Sequence, residues 1–105
     1  KRHGYLRGWV KTGVNGRYEF YTLRPASYPN STNPQHIHVT IKEPGMNEYW
    51  IDDYHFNDDP LVTKTMRLEQ HKRGGNGIIR LVKRGSLSTA TRDIILGLNV
   101  PGYPR

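Results

Sequence analysis

The sequence predicts an all-β domain, a sandwich or barrel of short strands with one short helix. Three observations carry this. Apolar and polar residues alternate with period two along several short stretches. Gly, Pro, Asn and Asp clusters punctuate those stretches at the close spacing of an all-β chain. The one stretch with helical spacing is short and weakly apolar.

The elements follow in order. Tyr5 to Thr12 reads as a strand, with Leu6, Gly8 and Val10 on one face and Arg7, Trp9 and Lys11 on the other. Gly13-Val14-Asn15-Gly16 is a turn, because Asn-Gly tolerates positive φ and favours a hairpin. Arg17 to Leu23 returns as a second strand, rich in aromatics and Thr. Arg24 to Pro34 is a loop stiffened by prolines at 25, 29 and 34. Gln35 to Lys42 alternates cleanly, with Ile37, Val39 and Ile41 on one face and His36, His38 and Thr40 on the other. After the turn at Glu43-Pro44-Gly45, Tyr49 to Phe56 forms another strand, which Asn57-Asp58-Asp59-Pro60 breaks. Val62 to Lys72 is the helical candidate, closed by Gly74, Gly75 and Gly77. Ile78 to Lys83 and Ala90 to Leu96 complete the set as strands.

Composition narrows the class. With 105 residues, the chain reads as a single domain over 1–105. Leu, Ile, Val and Phe number 23, about 22% of residues, so the core is thin and help from a metal or a partner fits. Without Cys there is no disulfide, thiolate nucleophile or thiolate metal site. No apolar run approaches the ~20 residues of a membrane span and no signal peptide is visible, which leaves the compartment open. The chain begins on Lys1-Arg2-His3 without an initiator Met, so an absent N-terminal segment stays an open expectation. A net charge of +7 favours anionic partners. The basic residues are scattered, however, with no stripe on a helix and no stacking aromatics in a basic sheet, so nucleic acid is not expected. Gly74-Gly75-Asn76-Gly77 lacks the Lys-Ser/Thr that follows a phosphate loop.

The chemistry concentrates in residues 28 to 38. Residues i and i+2 of a strand share a face, roughly 6.6 Å apart, so His36 and His38 can converge on one metal ion. Alone, the pair also fits two surface histidines. Its neighbourhood strengthens the metal reading: Ile37, Val39 and Ile41 anchor the opposite face in a core, and Tyr28 lies eight residues upstream in the stiff loop. A deprotonated Tyr is a hard anionic oxygen donor suited to Fe(III).

Residues 6–62 resemble the C-terminal catalytic portion of the intradiol ring-cleavage dioxygenases, the protocatechuate 3,4-dioxygenase and catechol 1,2-dioxygenase group. The resemblance runs through Arg7-Gly8, Lys11-Thr12, Asn15 to Phe20, Thr22 to Pro29, His36-Ile37-His38 and Phe56 to Leu61. Residues 78–104 look like the tail of other members of the group. The resemblance implies a β-sandwich of the intradiol dioxygenase type, carrying a mononuclear non-haem Fe(III) held by two Tyr and two His. Tyr28 matches a ligand Tyr in the T-x-x-P-x-x-Y stretch, and His36 and His38 match the His-x-His pair. The implied reaction inserts O₂ between the two hydroxyl-bearing carbons of a catechol and gives a muconate-type diacid. The implied partners are a small aromatic diol, O₂ and further copies of the chain in a homo-oligomer.

Three departures stand beside this. The group's other ligand Tyr lies upstream of the first strand, and Tyr5 is too close to that strand to match it. Asn33 occupies the place of an Arg that steadies substrate, and Asp53 that of a Gln. They motivate the alternative, a catalytically inactive binding module built on the same fold.

Other polar residues take structural readings first. Strand neighbours point to opposite faces, so Asp52 and Asp53 are not expected to face one site. Asp58-Asp59-Pro60 reads as turn chemistry. His55 is a half-exposed strand residue with an orienting role as the other option. Tyr18, Phe20, Tyr49, Trp50 and Phe56 read as core or pocket walls, and Tyr21 as a candidate for the wall of a substrate slot.

Overall fold

The computed structural model describes residues 8–25 and 32–104. Among the described residues, five strands in two sheets and one short helix make up the regular structure, an all-β fold as the sequence predicts. β1 (His36–Ile41) and β2 (Tyr49–Phe56) pair antiparallel, and β3 (Ile78–Ile79) joins β2 in parallel. The parallel pairing requires a crossover, and residues 57–77 supply it with helix α1 (Lys64–Leu68). β4 (Val82–Arg84) and β5 (Leu87–Thr89) form a separate antiparallel hairpin.

β1 and β2 fall where period two places them. Ile37 and Val39 turn to one face and pack against the buried cluster of Tyr54, Phe56 and Ile79. Ile51, 1% exposed, Val62 and Val100 complete the buried apolar set. Fully burying a side chain of this kind contributes about 1.5–3 kcal/mol, so a few residues carry much of the stability of a small core.

The register holds one irregularity. Ile37 opposes Tyr54 and Val39 opposes Ile51, so two steps along β1 match three along β2. Asp52 and Asp53 together therefore face His38, a bulge that resets the alternation of β2. Ile51 and Tyr54, three residues apart, are both buried for this reason.

Two glycines let the crossover approach β2. The Gly77 carbonyl accepts from the His55 N–H at 3.0 Å, and a Cβ on Gly77 would overlap the Asp53 carbonyl oxygen. Gly74 has φ +76°, and a Cβ there would lie 3.1 Å from Ile51 Cγ2. The C-terminal segment docks on the same glycine: the Gly74 N–H donates to the Leu98 carbonyl, and the Ile95 N–H donates to the Gly74 carbonyl, both at 2.9 Å. Tyr103 and Tyr49 both donate their hydroxyls to Glu43, which ties this tail to the β1–β2 turn.

Several elements differ from the sequence expectation. The turn at residues 13–16 is present, with the Gly13 N–H donating to the Arg17 carbonyl at 2.8 Å. No strand flanks it within 8–12 or 17–23; residues 5–7 of the first predicted strand lie outside the described residues. Only Tyr18 and Phe20 reach the core side, through Tyr54, while Trp9, Tyr21 and Leu23 are 84%, 78% and 85% exposed. Without an apolar face to bury, nothing fixes a ladder there. The helix spans 64–68 in place of 62–72. The Thr63 hydroxyl caps it by accepting from the Met66 N–H, and it buries no residue that would extend it. The strand expected over 78–83 divides, since Ile78 and Ile79 pair with β2 while Val82 leaves for the hairpin. Residues 90–96 contain no strand; turns with positive φ at Gly97 and Asn99 fold this stretch back onto Gly74.

Candidate functional site

The imidazoles gather on the sheet face opposite the core. His36 stands across from His55 on β2, with ring centroids 5.9 Å apart. His38 meets the bulge, and its Nδ1 lies 2.9 Å from Asp53 Oδ1. His36 Nδ1 lies 2.9 Å from the Pro34 carbonyl oxygen. A carbonyl and an ionised carboxylate can only accept, so Nδ1 is the protonated nitrogen of both rings. In the neutral ring the lone pair sits on Nε2, the atom that would face a metal.

The loop before β1 is set by charge. Arg24 makes a two-pronged ion pair with Asp58, 2.7 Å at its shortest, hydrogen-bonds Gln35 and lies over the Phe56 ring with Cζ 4.4 Å from the centroid. The buried Asp59 carboxylate accepts from the Gln35 and Leu61 N–H groups at 2.8 and 3.0 Å. Asp58 and Asp59 thus position the start of β1, as the turn reading expects.

Tyr28 lies outside the described residues. Among the described residues, no group of three or more His, Cys, Asp or Glu side chains is placed to hold a metal ion. The donors present fit the nitrogen half of a ferric site: two imidazoles on one strand face, each held at Nδ1 by an oxygen acceptor. Any anionic oxygen donor for such an ion has to come from elsewhere.

Beside His38 the sheet face opens into a cleft of about 550 Å³ whose walls include Trp50, Asp52, Asp53, His55 and His71. The bulge corrects the expectation for the two aspartates, because both line this cleft. Their work differs. Asp53 holds His38, while the Asp52 carboxylate accepts from the Lys72 and Arg73 N–H groups at 2.8 and 2.9 Å and fixes the turn after α1. Trp50 is covered by Arg73, whose Cζ is 3.4 Å from the ring centroid, and meets His71 edge-on at 5.6 Å. Burial pushes the His55 pKa below the usual 6.5, with Asp53 opposing and His36 adding to the shift, so this ring is neutral at pH 7. His55 is half-buried and faces His36. Tyr21 is 78% exposed and does not line the cleft. The sequence carried no signal for Asp53 as the partner of His38, since the bulge that brings them together leaves no mark in period-two spacing.

The chain is similar to a protein of known name. A protocatechuate 3,4-dioxygenase beta chain from Burkholderia cepacia is 28% identical over 95 residues, 86% of this chain and 40% of its own length. The chain is a distant relative of that dioxygenase subunit. It spans about two-fifths of the relative's length. No family model matches, and no solved structure matches. No helix among the described residues is long and apolar enough to cross a membrane.

Proposed function

We propose that this chain carries the His-x-His part of a non-haem Fe(III) intradiol dioxygenase, acting on a catechol-type aromatic with O₂ to give a muconate-type diacid. The observation that carries the reading is the pair His36 and His38, with each Nδ1 committed to an oxygen acceptor on a chain distantly similar to a dioxygenase subunit. Tyr28 is the proposed anionic ligand and His36 and His38 are the neutral ones. When bound, the ferric ion supplies Lewis acidity and a binding point for the catechol oxygens.

The protein's own residues orient and shield. Pro34 and Asp53 hold the two rings by Nδ1, which leaves Nε2 of each as the coordinating atom. Asp59 fixes Gln35, and with it the start of β1, so the histidines enter the sheet in a set register. Trp50 and His71 are ring side chains in the wall of the cleft beside His38. The exposed side chains of Trp9, Tyr21 and Leu23 support assembly into a homo-oligomer, which light scattering would measure directly.

The test is iron loading followed by absorption spectroscopy and oxygen uptake with a panel of catechols. The reading expects a red-brown protein from phenolate-to-iron charge transfer, a colour lost in Tyr28→Phe, and oxygen uptake abolished in His36→Gln. Iron that binds without oxygen uptake on any catechol would favour the inactive binding module. A protein that takes up no iron would remove the proposal altogether.

A further inference from the structure

A second cavity, of about 380 Å³, shares Gln70 and Ile78 with the cleft, and the dioxygenase reading gives it no work. Its other walls are Asn57, Arg67, Asn76 and Arg80. Three parts of the crossover build it. Asn57 follows the end of β2, Arg67 and Gln70 come from α1 and the residues after it, and Asn76, Ile78 and Arg80 come from β3 and its flanks. Ile79 is buried in the core, so its neighbours Ile78 and Arg80 turn the other way, toward the cavity.

The lining is cationic and rich in donors. Asn57 holds Arg67: its side-chain oxygen accepts from Nη1 at 2.9 Å and its carbonyl accepts from Nη2 at 3.1 Å. Asn76 Oδ1 accepts from Gln70 Nε2 at 3.2 Å and from the Ile78 N–H at 2.9 Å. Guanidinium and backbone N–H groups can only donate, so these contacts identify the oxygen of each asparagine side chain and leave its NH₂ group as a donor. Arg67 gives two of its N–H groups to neutral oxygens and keeps its full charge. Arg80 is exposed. Among the described residues the ion pairs are Arg24 with Asp58 and His38 with Asp53, so no carboxylate there matches either guanidinium of the cavity.

We propose that this cavity binds a phosphate group, either free or as the monoester of a small molecule. Arg67 and Arg80 supply the charge, and a guanidinium suits phosphate oxygens in both charge and geometry. The donors come from three chain segments around one space. A planar carboxylate is satisfied by a single fork, whereas a phosphate carries more charge and acceptor oxygens in several directions, which such a set can meet together. Asn57 fixes Arg67 before the anion arrives, so less side-chain freedom is lost on binding. Ile78 adds an apolar surface beside the charged groups. The site needs neither iron nor a catechol, and its test is separate from that of the dioxygenase reading.

The test is calorimetric titration of the full chain without added iron, at constant ionic strength set with chloride. Inorganic phosphate, phenyl phosphate and acetate are the probes. The expected result is a saturable one-site heat from both phosphates and weaker binding of acetate. Tighter binding of phenyl phosphate assigns the site to an ester and equal binding assigns it to free phosphate; either upholds the proposal. Arg80→Met should weaken phosphate binding about ten-fold or more, the loss of a hydrogen-bonded charge. Lys83→Met removes the same charge from the exposed β4 and should leave the affinity unchanged. Arg80 is exposed, so its replacement does not endanger the fold. No heat from either phosphate would overturn the proposal, as would acetate binding as tightly as phosphate. Equal losses in Arg80→Met and Lys83→Met would also overturn it, since they would reduce the effect to attraction by the overall positive charge.

Discussion

His38 Nδ1 and Asp53 Oδ1 meet 2.9 Å apart at the point where β2 bulges against β1. The bulge turns Asp53 toward the imidazole, and the carboxylate then sets which ring nitrogen keeps its proton. Partners of this kind typically change metal affinity 10–100-fold when removed. Asp53→Ala is expected to weaken iron binding by about that factor while the far-ultraviolet circular dichroism stays that of the parent. Iron titration followed by absorbance measures it. An affinity equal to the parent's would show that Asp53 does not orient a ligand.

The two glycines of the crossover should behave differently from a glycine in open space such as Gly8. Gly77→Ala drives a methyl into the Asp53 carbonyl, which is backbone and cannot rotate away. Gly74→Ala adds positive φ to a contact with the Ile51 side chain. Each is expected to lose about 1–3 kcal/mol by urea denaturation. Gly8→Ala, with nothing near its Cβ and no positive φ, serves as the control and should leave the midpoint unchanged.

How much of this could be read beforehand depended on whether a local signal met a buried face. Ile37 and Val39 alternate with His36 and His38, the core takes the aliphatic side, and β1 and β2 appear where the spacing puts them. The imidazole face was legible for the same reason. The Asn15-Gly16 turn was legible too, but its flanks were not, because Trp9, Val10 and Leu23 find no surface to cover them. Asp52 and Asp53 went the other way: period two separates them, and a single inserted residue reunites them on the cleft. The β4–β5 hairpin hides in Gly85-Ser86, a two-residue turn with Gly85 at φ +62° joining strands whose residues are all exposed. Such strands leave no hydrophobic alternation to read.

Ile51 concentrates the risk of a thin core. It is the most fully buried large side chain among the described residues, it opposes Val39 and it touches the Cα side of Gly74. Ile51→Ala is expected to lose about 2–5 kcal/mol, a large part of what a domain this size has in total. Ile51→Val should cost about 0.5–1.5 kcal/mol. Thermal unfolding of the two variants checks the ratio. Equal losses would mean that the surroundings collapse around the space and that Ile51 is not the keystone of the β2 face.

The Arg24–Asp58 pair gives stability a pH dependence of definite sign. The guanidinium holds the Asp58 carboxyl below its ordinary 3.8, slight burial opposing it, so the native state releases this proton more readily than the unfolded chain does. As pH falls through 3.8 the unfolded chain takes up the proton first. The contribution is therefore complete above about 3.8 and disappears as pH drops through the lower native value. The pair is largely solvated, with the Asp58 side chain 64% exposed, so the effect is small, at most about 1 kcal/mol. Asp58→Asn should lower the urea midpoint slightly at pH 7 and match the parent at pH 2.5. A difference that is the same at both pH values would mean that the carboxylate's charge contributes nothing and that only its hydrogen bonds to Arg24 matter.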